Sequence, residues 1–223
     1  PVVGYGQHNN IRQAYQISPK PTDEKMVIDG ELSEEVWKDA ALASDFVFCY
    51  PVDEKKVSQD LQTEVRVTYN GQYIFFGITC YGDDDYVIQT LKRDKELNRS
   101  DGFGLVIDPV NEKTNGFVFG VNAAGAQTEA LIPTRIGRRD DDGPRGLNEA
   151  WDNKWFSEVQ SYPDRWTIEF AIPYKSLRFK EGVSNWGINF FRFEAKTNSV
   201  HVWSPVPIEC WELDLGYTGT IHW

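Results

Sequence analysis

Alternation of apolar and polar residues dominates this chain. Trp166, Ile168, Phe170 and Ile172 fall on one side of a two-residue period, with Thr167, Glu169 and Ala171 on the other, which predicts a strand with one face turned to a core. Pro173 lacks an N–H and ends the ladder. Thr63 to Tyr69 alternates in the same way, Asn70-Gly71 is a tight-turn signal, and Gln72 to Tyr81 forms the return strand of a hairpin. Further strands are expected at 103–108, 117–122, 127–132, 156–160, 166–172, 186–193, 201–203 and 217–223, with a short one at 26–29. Helical periodicity is confined to one place: Ser33 stands as a cap, Glu34 and Glu35 suit the first turn, and Val36 and Trp37 pack inward. Strands at this spacing without intervening helices predict an all-β protein. The expected architecture is an antiparallel β-sandwich, jelly-roll-like, with one short N-terminal helix. Residues 1–24 show little periodicity and are read as an N-terminal arm, leaving 25–223 as the sandwich.

Composition narrows the function classes. At 223 residues the chain can bury a sizeable core as one domain. Eight Trp, ten Tyr and thirteen Phe exceed what strands and core require, leaving rings for a ligand surface. A formal charge of −11 argues against nucleic acid and anionic membranes, both polyanions. It suits cations or neutral ligands such as sugars. Cys49, Cys80 and Cys210 allow at most one disulfide and have no metal-ligand spacing; Cys80, inside an apolar strand, is read as a buried thiol. No stretch approaches the roughly 20 apolar residues of a membrane helix. The chain opens at Pro1, and we expect it to be a mature or excised portion of a longer precursor.

Three sets of residues carry candidate chemistry. Asp83, Asp85 and Asp101 lie in loops flanking strands and are the candidate ligands of a structural calcium, which takes six to eight oxygens from such loops; the Asp140-Asp141-Asp142 run reads as solvated charge. Trp151, Trp155 and Trp211 sit in or beside polar loops. Trp211 is the better sugar platform, whereas for Trp151 and Trp155 packing under the long irregular stretch 134–153 is the favoured reading. Third, Gly102, Gly104 and Val106, Val118, Gly120 and Asn122, and Thr167, Glu169 and Ala171 would together make a smooth floor if their strands were neighbours. That floor would hold a ligand or receive the long loop, with Glu169, Arg66 and Arg192 forming an internal charge pair beside it. No Ser/His/Asp, HExxH or other catalytic constellation is legible around His8, His201 and His222, and the chain reads as non-enzymatic.

Several of these segments carry a resemblance. Ile28-Asp-Gly-Glu31 with Trp37, Asp101-Gly-Phe-Gly-Leu-Val-Ile-Asp108, Phe119-Gly-Val-Asn122, Glu169-Phe-Ala-Ile-Pro173, Trp186-Gly-Ile-Asn-Phe190 and Trp203-Ser204 together resemble the family 9 carbohydrate-binding modules. The likeness is nearest to the version at the front of uncharacterised bacterial envelope proteins, where an outer-membrane barrel often follows. It covers residues 25–223 and implies an antiparallel sandwich, bound calcium and a slot for the ends of poly- or oligosaccharide chains between two tryptophans. Where that slot has its first tryptophan stands Asn98, where it has gripping side chains stand Gly104 and Gly120, and Trp211 falls near the second platform. The ligand contacts expected on this basis are Trp211, Trp151, Trp155, Asn98 and Asn122. The function implied is a non-catalytic, calcium-stabilised carbohydrate-binding domain, secreted or in the cell envelope (periplasm or outer-membrane surface), with a C-terminal barrel of the same precursor as a partner. The alternative is an interaction or plug-like domain with no sugar ligand.

Overall fold

The structure, a computed structural model, describes residues 14–94, 99–132, 136–140, 143–144, 146–177, 179 and 182–223. Its strands are β1 (Gln16–Ile17), β2 (Lys20–Pro21), β3 (Ala41–Ala43), β4 (Val47–Tyr50), β5 (Thr63–Tyr69), β6 (Tyr73–Tyr81) and β7 (Gly102–Asp108). These are followed by β8 (Gly116–Asn122), β9 (Gln127–Ile132), β10 (Phe156–Tyr162), β11 (Arg165–Pro173), β12 (Asn185–Glu194), β13 (Ser199–Val202) and β14 (Gly219–His222). They form two sheets. The eight-stranded one runs β1-β14-β12-β7-β8-β9, with β13 beside β12 and β4 beside β13. The six-stranded one runs β10-β11-β6-β5-β2, with β3 also on β5. Pairing is antiparallel except where β1 meets β14 and β2 meets β5.

The expected sandwich is therefore present, and the period-two pattern explains its core. Trp166, Ile168, Phe170 and Ile172 are fully buried, facing Phe103, Leu105, Ile107, Phe119 and Phe190 of the opposite sheet. Rings interlock there: Phe103 stacks on Phe190 at 6.3 Å, and Trp155 meets Phe170 edge-on at 4.9 Å. The β5–β6 hairpin turns at Asn70, whose Oδ1 accepts the N–H groups of Gln72 and Tyr73.

Both outer faces are covered as well, which alternation alone does not predict. On the six-stranded sheet, Thr167, Glu169 and Ala171 are buried beneath residues 22–40. The expected strand at 26–29 is irregular backbone, because its polar groups bond elsewhere. Glu169 accepts the N–H groups of Asp29 (2.9 Å) and Gly30 (3.0 Å) and the Trp37 indole N–H (3.2 Å), and Thr167 Oγ1 donates to Gly30 O at 2.6 Å. Gly30 has φ +85°, and a Cβ there would stand 2.9 Å from the Val159 carbonyl carbon. Trp37, on α1 (Val36–Asp39), the one α-helix among the described residues, lies against Gly77, where a Cβ would meet its ring at 3.0 Å. Ser33 does not cap α1: Glu35 stands at the cap position without a side-chain bond, and Glu24 accepts the N–H groups of Glu35 and Val36 instead. Residues 14–24 of the expected arm cross between the sheets through β1 and β2; residues 1–13 lie outside the described residues.

Candidate functional site

The outer face of the eight-stranded sheet carries the candidate site. Gly104 pairs with Gly120 across β7 and β8, with Gly102 opposite Asn122 and Val106 opposite Val118. Two of the three expected floor strands are thus neighbours, but Thr167, Glu169 and Ala171 belong to the other sheet and point away from this surface. The floor is also not bare. Phe191 of β12 leans over Gly104, where a Cβ would sit 2.4 Å from its Cζ. Ile136, Val206, Trp211, Leu213 and Leu215 complete a buried apolar layer with Val106, Val118 and Phe193. Residues 136–140 of the long stretch take part in this cover through a bridge from Arg138 to Cys210.

At the rim of the cover lies a groove of about 270 Å³, lined by Tyr50, Arg139, Asp140, Glu194, Asn198, Ser199, Trp211 and Glu212. Arg139 is its centrepiece. The guanidinium carbon is 4.5 Å from the Trp211 ring centre and 5.3 Å from that of Tyr50, within cation–π range of both. Its Nη2 donates to Glu212 Oε2 at 2.8 Å and its Nε to Cys210 O at 3.1 Å. Trp211 is only 7% exposed, and its indole N–H donates to Arg138 O. It therefore supports Arg139 rather than offering an open platform. Glu194 lines the same groove, its pKa raised by burial with Arg192 pulling the other way. Its Oε2 is buried without a hydrogen-bond donor among the described residues, Arg192 Nη2 lying 3.5 Å away. The groove thus joins two aromatic rings, a guanidinium and two carboxylates. This set can grip hydroxyl groups beside an apolar wall.

The remaining expected site residues lie elsewhere and apart. Trp155 is 4% exposed, packs between Phe119 and Phe170, and donates its indole N–H to buried Glu129. Trp151 rests half-buried on Phe117 and Phe119. Asn122 is buried at the end of β8, accepting from Ala124 and Ala126 and donating to Thr90 O. Asn98 lies outside the described residues. Nor does the expected charge pair form: Arg66 meets Glu64, Arg192 donates to Leu61 O and Tyr81 O, and Glu169 serves the clip described above. Burial pushes Glu169 up to about 7, against the pull of the N–H groups it accepts. All three cysteines are free thiols, Cys80 fully buried and pushed up to about 11 by desolvation.

The three candidate calcium ligands do not fit a metal. Asp101 spends one oxygen on the Val87 N–H (2.6 Å) and the other on the Ala195 N–H (2.9 Å). Asp83 and Asp85 share the Lys196 ammonium at 3.3 and 3.0 Å, so a cation of the chain's own stands between them. Among the described residues no group of three or more His, Cys, Asp or Glu can hold a metal ion, and no helix is long and apolar enough to cross a membrane.

No protein-family model matches the sequence, and no curated protein matches it significantly. Solved structures do match its fold. A presumptive carbohydrate-binding protein from Bacteroides uniformis aligns at TM-score 0.70 and 12% identity, over 93% of this chain and 98% of that one. A family 9 carbohydrate-binding module from Caldicellulosiruptor kristjanssonii in complex with cellotriose aligns at TM-score 0.59 and 11% identity, over 93% and 92% of the two chains. The module in complex with glucose gives TM-score 0.59 and 12% identity, over 92% and 94%. The chain has the fold of the family 9 carbohydrate-binding modules.

Proposed function

We propose that this is a non-catalytic carbohydrate-binding domain whose ligand enters the groove around Arg139. The observation that carries the reading is the Tyr50–Arg139–Trp211 stack with Glu212 and Glu194 beside it. Arg139 and the two carboxylates bond sugar hydroxyls, the exposed part of Tyr50 offers an apolar wall, and Trp211 holds Arg139 in place. A groove of about 270 Å³ suits one or two sugar rings rather than a long chain. Titration calorimetry against gluco- and xylo-oligosaccharides tests it: heat of binding is expected, and Tyr50→Ala and Arg139→Ala should each weaken it at least tenfold. Flat traces with every glycan would overturn it.

A second reading, an accessory or plug-like domain with no sugar ligand, is favoured by one observation: Phe191 fills the space over Gly104 where the resemblance puts a gripping side chain. It predicts those same flat traces. In either case we place the domain outside the cytoplasm, at the cell envelope, with an outer-membrane barrel as the companion of the same precursor. Protease accessibility of the full-length protein in intact cells checks that placement, protection of the domain in cytosol-filled spheroplasts being the contrary result. Calcium has no part in this proposal, because Asp83 and Asp85 share the Lys196 ammonium.

A further inference from the structure

The two sheets end differently along their edges. β1 and β2 are two residues long and β3 is three. β4 is flanked by the 51–57 turn, which bonds back through Phe48 and Val47. β9 is met by Asp94, which donates to Gln127 O, and by a two-way bridge between Leu131 and Asn148. β10 is the exception. It is seven residues long, pairs only with β11 among the described residues, and keeps an unbroken register from Phe156 to Tyr162. Alternate N–H and C=O groups along it therefore point outward. It has no proline, no lysine and no bulge, the usual devices that stop an edge from recruiting another strand. A groove of about 530 Å³ opens beside its first half, walled by Ile28, Leu91 and Phe156, with Leu91 76% and Phe156 38% exposed.

The strand's own sequence says what fits. Laid antiparallel on a second β10 about Val159, Phe156 faces Tyr162, Ser157 faces Ser161 and Glu158 faces Gln160. Aromatic meets aromatic, hydroxyl meets hydroxyl, and the strand's only charge meets a neutral amide rather than its own copy. Phe156, Glu158, Gln160 and Tyr162 lie on one face in both copies, since their β11 partners Ala171, Glu169, Thr167 and Arg165 share the outer face. We infer that β10 pairs with β10 of a second copy of this chain, joining two six-stranded sheets into one across a two-fold axis. The surface lies on a different strand from the Arg139 groove, so it stands or falls independently of sugar binding.

The register makes the test specific, because residues 158 and 160 meet twice per dimer. Sedimentation equilibrium from micromolar to millimolar protein should show a monomer–dimer equilibrium, with exchange of β10 amides slowing as concentration rises. Gln160→Glu sets like charges at both crossings and should weaken association roughly 2- to 30-fold, while Gln160→Lys should strengthen it by a similar factor. Adding Glu158→Lys to Gln160→Glu should restore the dimer. Gln160 also donates to Asp29 O at 3.1 Å, so each variant's melting temperature is measured to confirm folding. A monomer at every concentration overturns the inference and leaves the edge to a strand from another protein. A dimer that responds alike to both Gln160 substitutions overturns it too, by placing the contact elsewhere.

Discussion

The two outer faces of the sandwich are covered in different ways, and the difference separates scaffold from site. On the six-stranded sheet the cover is a clip fastened to one buried carboxylate: Glu169 takes two backbone N–H groups and an indole, Gly30 fits where no Cβ can, and Trp37 seals the surface. The backbone groups that the clip lays on the sheet are bonded there, the Asp29 and Gly30 N–H groups to Glu169 and Gly30 O to Thr167. On the eight-stranded sheet the cover is apolar beneath and charged at its rim. It ends in an arginine stacked between two rings, with Glu194, ion-paired to Arg192, lining the adjoining groove. A face whose polar groups are spent is structural; one that keeps charged groups poised beside a groove can recognise something.

Substitutions can break or sharpen that contrast. The largest effect is expected from Trp37→Ala, which should cost about 3–5 kcal/mol in urea unfolding by emptying the sealed face, while leaving any glycan isotherm unchanged. Arg139→Ala should cost less stability, about 1.5–3 kcal/mol, through the lost bond to buried Glu212, yet it should weaken binding at least tenfold. If both variants lose binding in proportion to stability, the contrast fails. Gly30→Ala should cost about 1–3 kcal/mol, from the strain of a positive φ and contact with β10, again read by urea.

A smaller effect lies in pH. Glu169 has its folded pKa raised to about 7 from 4.5, so the protonated form is favoured in the fold. Its contribution is complete below pH 4.5 and is lost as pH rises through 7. The melting temperature of Glu169→Gln, which lacks this group, should therefore improve relative to wild type between pH 4.5 and 7, and a constant difference would refute the assignment. The smallest effect is none: chelator should leave the melting temperature unchanged, because Lys196 serves the carboxylates that calcium would need. A drop restored by added calcium would contradict this.

The long strands were legible because their alternation is a direct imprint of the pleat. Thr63–Tyr69 and Gln127–Ile132 fall at the expected bounds, and Trp166 to Ile172 faces inward as its pattern requires. β3 and β4 are too short to carry a period. Residues 26–29 look apolar enough for a strand, but the Val27 N–H goes to the Glu34 side chain and the Asp29 N–H to a carboxylate 140 positions away, which no local pattern records. Trp211 misleads for a related reason. Polar neighbours around Trp211 suggest an exposed ring, whereas its indole is buried and donates to Arg138 O; Trp155, for which packing is the favoured reading, likewise donates to Glu129. No local pattern marks Tyr50, Arg139, Glu194 and Glu212 as a site. Arg139 and Trp211 come together only through the fold, from loops 72 positions apart. A carboxylate directly after Trp211 was the one local hint.

Phe191 also sets the order in which this surface could be remodelled. Anyone wishing to install a hydroxyl-gripping glutamate at position 104 would find its first carbon inside a phenyl ring, 2.4 Å from Cζ. The ring must be cut back first, for example to alanine or serine, and the hook added second. A glutamate library at position 104 alone would yield misfolded protein rather than new binders.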